Sequence, residues 1–392
     1  MTKELAILIF WGTALLLAFT FVGYPVLMAF LSSLKRKAPT PSPPPVYPTV
    51  DCVIVAHNEA SRIAARLENL MASEYPSDRL RFIVVCDGCT DATAQIAREA
   101  GRERVQVLEL SPQQGKAAGL NAGLAAASGE LVVFADARQQ FAPNAIAWLV
   151  RHLMQPGVGA VSGNYSLLPP ANSVGGGVDV YWRLEKFLRQ AESRWDSVIG
   201  CTGAIYAIRR ELFEPLPPDT ILDDVVIPMR MVVRGWRVDF APEALAWETM
   251  PVIAEREFQR KRRTLAGNFQ MLFRYPQWLL PWHNRLWWAL LCHKYLRLLA
   301  PPGLLLLFLT NLWLARFSPF YAGLLAAQLA FYLLAILGLI YPQWRCRCFT
   351  LPAGFVFLNA ATVAALGYYL RHGGRGGWKS LPPAQSHVQS AG

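Results

Sequence analysis

The sequence predicts an α/β domain on a mainly parallel sheet, set between membrane-spanning helices. Three observations predict it. The chain is unusually apolar: 53% of its 392 residues are hydrophobic and 17% are charged, against roughly 45–50% and ~25% in an ordinary soluble domain. Between its apolar ends, four short apolar runs alternate with helical patterns. Two of those runs end in an aspartate. Such an excess spread evenly over a surface would aggregate, so its segregation into bilayer-spanning stretches is the first expectation. The composition excludes disorder. Seven cysteines in so long a chain exclude a small disulfide scaffold, and their odd number leaves at least one unpaired.

Residues 5–31 carry no charge, where ~20 apolar residues suffice to cross ~30 Å of hydrocarbon. The stretch is too long for a signal-peptide core and no small-x-small cleavage site closely follows it, which predicts a permanent anchor. Lys35, Arg36 and Lys37 come next and put the following segment in the cytoplasm by the positive-inside rule. Residues 32–48 read as a basic, proline-rich linker in which Pro39, Pro41, Pro43, Pro44, Pro45 and Pro48 make a stiff spacer.

The domain is placed at residues 49–280. Its strand-type runs are Val50–Ala56, residues 81–86, Val105–Leu110 and Leu131–Ala135. Helical patterns cover residues 59–73, 91–100 and 117–127, and Gly101 and Gly129 are expected to stop the last two. Alternating strands and helices predict right-handed crossovers, with ligands bound outside the carboxyl ends of the strands. Asp87 and Asp136 stand at two such ends. Either alone is equally well read as a turn or cap residue; together they point to one shared crevice. No G-x-G-x-x-G follows the first strand and no G-x-x-x-x-G-K-[ST] occurs, which withdraws support from dinucleotide dehydrogenases and P-loop ATPases.

Residues 296–315 (interrupted by Pro301, Pro302 and Gly303), 319–341 and 349–370 are three further candidate spans. Tyr275, Trp278, Trp282, Trp287, Trp288 and Tyr295 precede them as an aromatic belt. Residues 281–370 therefore read as an interfacial segment with about three transmembrane helices, and 371–392 as a flexible tail. Four crossings would leave Arg371, Arg375 and Lys379 outside, against the positive-inside rule. A re-entrant or interfacial segment near Pro301 would remove the conflict.

The runs VIVAHNE, VVCDGCTDAT, GKAAGLNAGL, VVFADAR, CTGAIYAIRR, ILDDVVIP and QRKRRT occur in the order and spacing of the motifs of family 2 glycosyltransferases. The chain resembles the membrane-embedded branch that includes poly-N-acetylglucosamine, hyaluronan, chitin and cellulose synthases. The resemblance implies a GT-A fold (the nucleotide-diphospho-sugar transferase architecture). It also implies inverting transfer from a nucleotide sugar, with a UDP-linked donor expected, to a glycan or lipid acceptor. The implied location is the cytoplasmic face of the cell inner (plasma) membrane. By the same resemblance His57, Asn58, Glu59 and Asp87 hold base and ribose, with Lys116 and Asn121 lining that side. Asp136 matches the first carboxylate of D-x-D and binds diphosphate and a divalent cation, Mg²⁺ or Mn²⁺. Thr202, Gly203 and Ala204 abut the acceptor. Asp223 and Asp224 match a Glu-Asp pair whose second member is the catalytic base. Membrane lipids and envelope-biosynthesis proteins are the implied partners.

Elementary chemistry fits these roles. The acceptor hydroxyl must lose a proton, and a carboxylate beside a second carboxylate has its pKa raised, which suits a base. The ordinary alternative for the pair is a helix N-cap with its first-turn acid, ahead of a helix stopped at Gly235. Both readings can hold, with Asp223 capping and Asp224 catalysing. A cation held by Asp136 and diphosphate oxygens would stabilise the leaving group.

Two motifs depart from the family pattern. Arg138 stands where D-x-D has its second carboxylate; it cannot ligate a metal but could pair with diphosphate. The Q-x-x-R-W motif becomes Arg260-x-x-Arg263-Thr264 if Gly267 is aligned, or Gln259-x-x-Arg262-Arg263 otherwise, and either register lacks the tryptophan. That loss shifts weight from processive polymer synthesis toward a lipid or short acceptor. Arg256, Arg260, Lys261, Arg262 and Arg263 crowd together as an anionic-lipid contact would, and Arg262 or Arg263 is the candidate for reaching diphosphate. Cys86-x-x-Cys89 is read as packing or serine replacement, since no second such pair exists. His57 is the one histidine of six inside a motif, with a turn hydrogen bond as its default role. The net charge of +11 does not argue for nucleic acid, because its clusters flank apolar segments. The alternatives to polymer or glycan transfer are a polyprenyl-phosphate monosaccharide transferase and a non-catalytic sugar-nucleotide-binding scaffold.

Overall fold

The computed structural model describes residues 2–36, 39–168, 176–249, 254–344 and 346–372. Lys37 and the tail cations Arg375 and Lys379 lie outside them. An eight-stranded sheet organises the domain: β1 (Val50–Ala56), β2 (Leu80–Asp87), β3 (Val105–Leu110), β4 (Leu131–Ala135), β5 (Gln140–Phe141), β6 (Val158–Leu168), β7 (Ile205–Arg209) and β8 (Arg237–Thr249). Their spatial order is β3-β2-β1-β4-β7-β6-β8-β5. The first four strands are parallel, as expected. Beyond β4 the sheet is mixed: β7 runs antiparallel to both neighbours while β6 and β8 are parallel. The topological break at β4/β7 lies beside Asp136.

Helices α2 (Ile63–Met71), α3 (Thr93–Gly101) and α4 (Lys116–Ala126) are the predicted crossovers, and α5 (Ala145–Leu153) follows β5. The expected glycine stops do not operate as such. Gly101 is the last residue of α3 with ordinary φ of −88°, and Arg102 takes the left-handed turn at φ 48°. Gly101 is needed because a Cβ there would strike Val105. Gly129 lies beyond the end of α4 and gives its N–H to the buried Asp51 carboxylate at 2.6 Å. The first helix of the domain, α2, begins at Ile63, later than expected, because residues 57–62 form a turn tied to the loop after β2.

Alternate residues of β1 serve two cores. Val53 and Val55 face α4, while Cys52 and Ile54 face the α2, α3 and α5 side. Helix α4 approaches the sheet through Gly119 and Gly123, where an added Cβ would lie 2.5 Å from Val55 and 2.6 Å from Val53. A Gly119→Leu substitution is expected to lever this helix off the sheet and cost about 1–3 kcal/mol. An unchanged thermal melt would show that the helix can slide. After α5 come α6 (Gly176–Trp195), α7 (Asp223–Val233) and α8 (Ala254–Arg274).

Among the described residues, three helices are long and apolar enough to cross a bilayer: α1 (Lys3–Ser33), α11 (Pro319–Ile340) and α12 (Arg347–His372). A fourth segment, α9 (Trp287–Leu298) with α10 (Ala300–Leu314), is bent by 59°. The bend falls at Leu299. Pro301 and Pro302 sit in the first turn of α10, where a missing N–H costs nothing. Helix α12 starts against the end of α11, at Gly338. Its later turns lie along α8: Phe357 meets Phe258 at 5.5 Å, Tyr369 stacks on Phe273 at 5.5 Å, and Arg262 sits 5.0 Å over Tyr368. The end of α12 is thus on the domain side of the molecule.

Candidate active site

The site forms where β2 and β4 end. The buried Asp87 carboxylate accepts the backbone N–H groups of Gln114 (2.6 Å) and Gly115 (2.7 Å). It thereby fixes the turn that starts α4, in which Gly115 holds φ of +102°, a value side chains resist. Asp87 is committed to this turn instead of facing a ligand openly. The next residue, Lys116, reaches Asp136 Oδ1 at 3.1 Å and Asp223 Oδ2 at 3.6 Å. Burial disfavours its charged form, but the charges of Asp136, Asp223 and Asp224 outweigh it and raise its pKa.

Asp223 and Asp224 open α7, where two acids complement the helix dipole. The expected cap is not made: Leu222 occupies the N-cap position and Asp223 is drawn to Lys116 instead. Asp224 Oδ2 accepts the Gly203 N–H at 3.0 Å, and a Cβ at residue 203 would lie 3.0 Å from that oxygen. The Cys201 N–H meets the Asp224 carbonyl at 2.7 Å, and the Thr202 N–H meets Ser162 Oγ at 3.0 Å. The segment with Thr202, Gly203 and buried Ala204 is thereby folded onto Asp224. Burial, and then the neighbouring Asp223 charge, push Asp224 up to about 6.

The remaining expected residues are placed less directly. His57 Nδ1 meets the Asp87 carbonyl at 2.7 Å, and Asn58, at φ 53°, accepts the Thr90 N–H at 2.8 Å. Glu59 is buried and takes Arg62 and Arg138, each at 2.9 Å. Arg138 is therefore turned toward Glu59, not toward Asp136. The Asn121 side chain is used up on both backbone groups of Leu216, at 2.8 Å each, so it secures the segment leading to α7 instead of lining the crevice. Gly267 packs on Ile221 and Leu222, where an added Cβ would come within 3.0 Å. Arg263 stands near enough to oppose the Lys116 charge, while Arg262 faces Tyr368. Cys89 takes the Asn58 N–H at 3.4 Å, the role of a turn hydroxyl, and the Cys86 thiol pulls it down to about 7. Sequence reasoning missed Ser162, whose small polar strand position gives no signal.

Could these residues hold a divalent cation? Asp223 Oδ2 is buried with no hydrogen bond among the described residues, and Asp136 is one-third exposed beside it. Those are hard oxygen donors, too few to saturate an ion but suited to one completed by phosphate oxygens. No cluster of three metal-ligating side chains occurs among the described residues.

The sequence model described as Glycosyltransferase like family 2 matches residues 48–268, more than half of the chain. The chain belongs to that family. This glycosyltransferase is 26% identical over 242 residues to the probable glycosyltransferase YdaM of Bacillus subtilis (strain 168), covering 58% of this chain and 57% of that protein. It is 22% identical over 231 residues to a poly-beta-1,6-N-acetyl-D-glucosamine synthase of Staphylococcus epidermidis, covering 57% and 56%. Its match thus spans little over half the length of these relatives. Among solved structures, the mannosyltransferase PcManGT of Pyrobaculum calidifontis, in complex with GDP-Man and Mn²⁺, superposes with a TM-score of 0.67 and 25% identity. That superposition covers 91% of this chain and 99% of the mannosyltransferase. The fold of this glycosyltransferase is GT-A, with apolar helices at both ends.

Proposed function

We propose that the chain is an inner-membrane, inverting glycosyltransferase that moves a sugar from a nucleotide sugar to a glycan or lipid acceptor at the cytoplasmic face. The observation that carries this reading is Asp224, raised to about 6 and held by Gly203 across the site from the Lys116–Asp136 pair. Asp224 takes the acceptor proton. The neighbouring Asp223 carboxylate adds to burial in raising the Asp224 proton affinity. Lys116 and Arg263 face the departing diphosphate. Asp136, with Asp223 behind it, would hold the divalent cation, which supplies charge neutralisation of that leaving group. Glu59 and Asp87 shape the nucleotide side through Arg138 and the 114–115 turn, and Thr202 to Ala204 form the acceptor wall.

The placement of the domain at 49–280, between an anchor at 5–31 and a C-terminal membrane region at 281–370, belongs to the same reading. So does the tail: the end of α12 lies against α8 of the domain, which supports Arg371 on the cytoplasmic side, in keeping with the positive-inside rule. The donor is proposed as UDP-linked by the synthase resemblance, and the GDP-Man complex of the mannosyltransferase makes a GDP-sugar the first competitor.

The test is incubation of membranes with a panel of labelled UDP- and GDP-sugars, with and without chelator, and sizing of the product. Transfer from one donor is expected, lowered at least ~10-fold by chelator and restored by Mn²⁺ or Mg²⁺. Nucleotide binding without turnover of any donor would overturn the reading in favour of a scaffold. A product of one sugar on a prenyl phosphate would identify the monosaccharide transferase alternative.

A further inference from the structure

A second polar cluster lies outside the described site, where α1, α6 and α9 meet. Glu192 accepts the Tyr24 hydroxyl at 2.6 Å and faces His293 Nδ1 at 2.7 Å, with the Ile199 N–H at 3.4 Å. The other ring nitrogen of His293 meets Glu185 at 3.2 Å. Three cations share that one carboxylate: Arg297 at 3.4 Å, Arg189 at 3.7 Å and Lys294 at 3.9 Å. Glu192 is spent on Tyr24, His293 and a backbone N–H, and with Glu185 it sets two carboxylates against the three cations, so the local balance is positive. The cations are 15% (Arg189), 16% (Lys294) and 19% (Arg297) exposed, and each keeps an accessible edge.

The cluster is built. The two π-helical turns among the described residues, Phe19–Gly23 and Leu291–Tyr295, adjoin it, and the Tyr24 and His293 rings that they position lie 6.2 Å apart. Single π-turns inside helices concentrate at functional positions because they rotate the following side chains out of register. It is also connected to the reaction centre. Arg189 donates to Ser162 Oγ at 3.2 Å, Ser162 accepts the Thr202 N–H, and the adjacent Gly203 N–H holds Asp224. On the other side, Trp288 lies 6.0 Å from Tyr24, within the aromatic belt.

We propose that Arg189, Lys294 and Arg297 form an anion subsite for the phosphate of a lipid-borne acceptor, between the membrane belt and Asp224. An excess of half-buried cations beside the base, where a lipid tail can remain in the bilayer, matches a phosphate at the head of a long apolar chain. The donor diphosphate is served by Lys116 and Arg263, at a separate place. The identity of the ligand as acceptor rests on the glycosyl-transfer reading, whereas its binding can be measured without turnover.

The test places the full chain in phosphatidylcholine nanodiscs and measures binding of a radiolabelled long-chain prenyl phosphate. The matching prenol, phosphatidylglycerol and inorganic phosphate serve as competitors. Tight binding displaced by none of the three is expected. The double variant Lys294→Gln, Arg297→Gln should weaken it by at least about 100-fold, the loss of two charge-assisted contacts, with nucleotide binding unchanged. Equal competition by prenol, phosphatidylglycerol or inorganic phosphate overturns the subsite, and so does a variant that binds as wild type. A variant that loses nucleotide binding while its melt is unchanged assigns the cations to the donor and overturns it as well. Should the variant not fold, the competition on the wild-type chain still decides. Lipid binding without sugar transfer would leave the subsite standing and defeat the transferase reading alone.

Discussion

Asp224→Asn is expected to lower transfer by about 10²–10⁴-fold, the range supplied by a positioned general base, while leaving nucleotide affinity and the thermal melt near wild type. The amide is isosteric and its oxygen can still accept the Gly203 N–H that Asp224 accepts at 3.0 Å. The wall of the site therefore stays in place and only proton acceptance is removed. The wild-type pH profile should carry the same signature. Asp224 is raised to about 6, and a base works only when deprotonated, so activity should fall as pH drops through about 6 and level off above it. In the variant that acid limb should vanish from whatever rate remains. Single-turnover rates measured across pH for both proteins check this, and an Asn variant with undiminished transfer would remove Asp224 from the mechanism. Asp223→Asn separates the neighbours: losing the adjacent charge should move the wild-type acid limb to lower pH.

How much of this site was legible beforehand depends on the kind of contact. Asp87 and Asp136 could be located because a buried parallel strand reads as an apolar run, and its first charged residue marks where the chain leaves the core. β1, β3 and β4 have the bounds read from the sequence. The antiparallel half was not legible. β6 mixes Gly, Ser, Asn and Tyr with its apolar residues, and Pro242 interrupts β8, so neither shows a clean alternation. Their pairing is supplied by neighbours far along the chain. The same holds for side chains. A motif can place Lys116 near Asp136, yet nothing local says that Asn121 will be spent on Leu216, 95 residues away, or Arg138 on Glu59, 79 residues away. The cluster around Glu192 joins residues 101 and 168 positions apart, and no periodicity encodes it.

Lys116→Met should have the largest effect on stability. The ammonium lies between Asp136 Oδ1 at 3.1 Å and Asp223 Oδ2 at 3.6 Å, and the Asp223 side chain is only 6% exposed. Removing the cation leaves a buried carboxylate without its counter-charge, a change that costs roughly 3–5 kcal/mol in comparable buried pairs. Asp136 is one-third exposed and solvent screens its share, which places the expectation near the lower figure, about 3 kcal/mol. The sign with pH follows from the direction of the shift. The pKa of Lys116 is raised in the folded state, so its stabilisation is fully present below the ordinary lysine range and is lost only as pH climbs through the higher folded value. The deficit of the variant should therefore be seen throughout the neutral range. The same loss of positive charge raises Asp224 further, so any remaining transfer should show its acid limb above the wild-type position. Denaturant unfolding at neutral pH, together with the pH profile, measures both. Equal stability and an unmoved limb would show that Lys116 is held by something other than these carboxylates, and would reopen which side of the crevice receives the diphosphate.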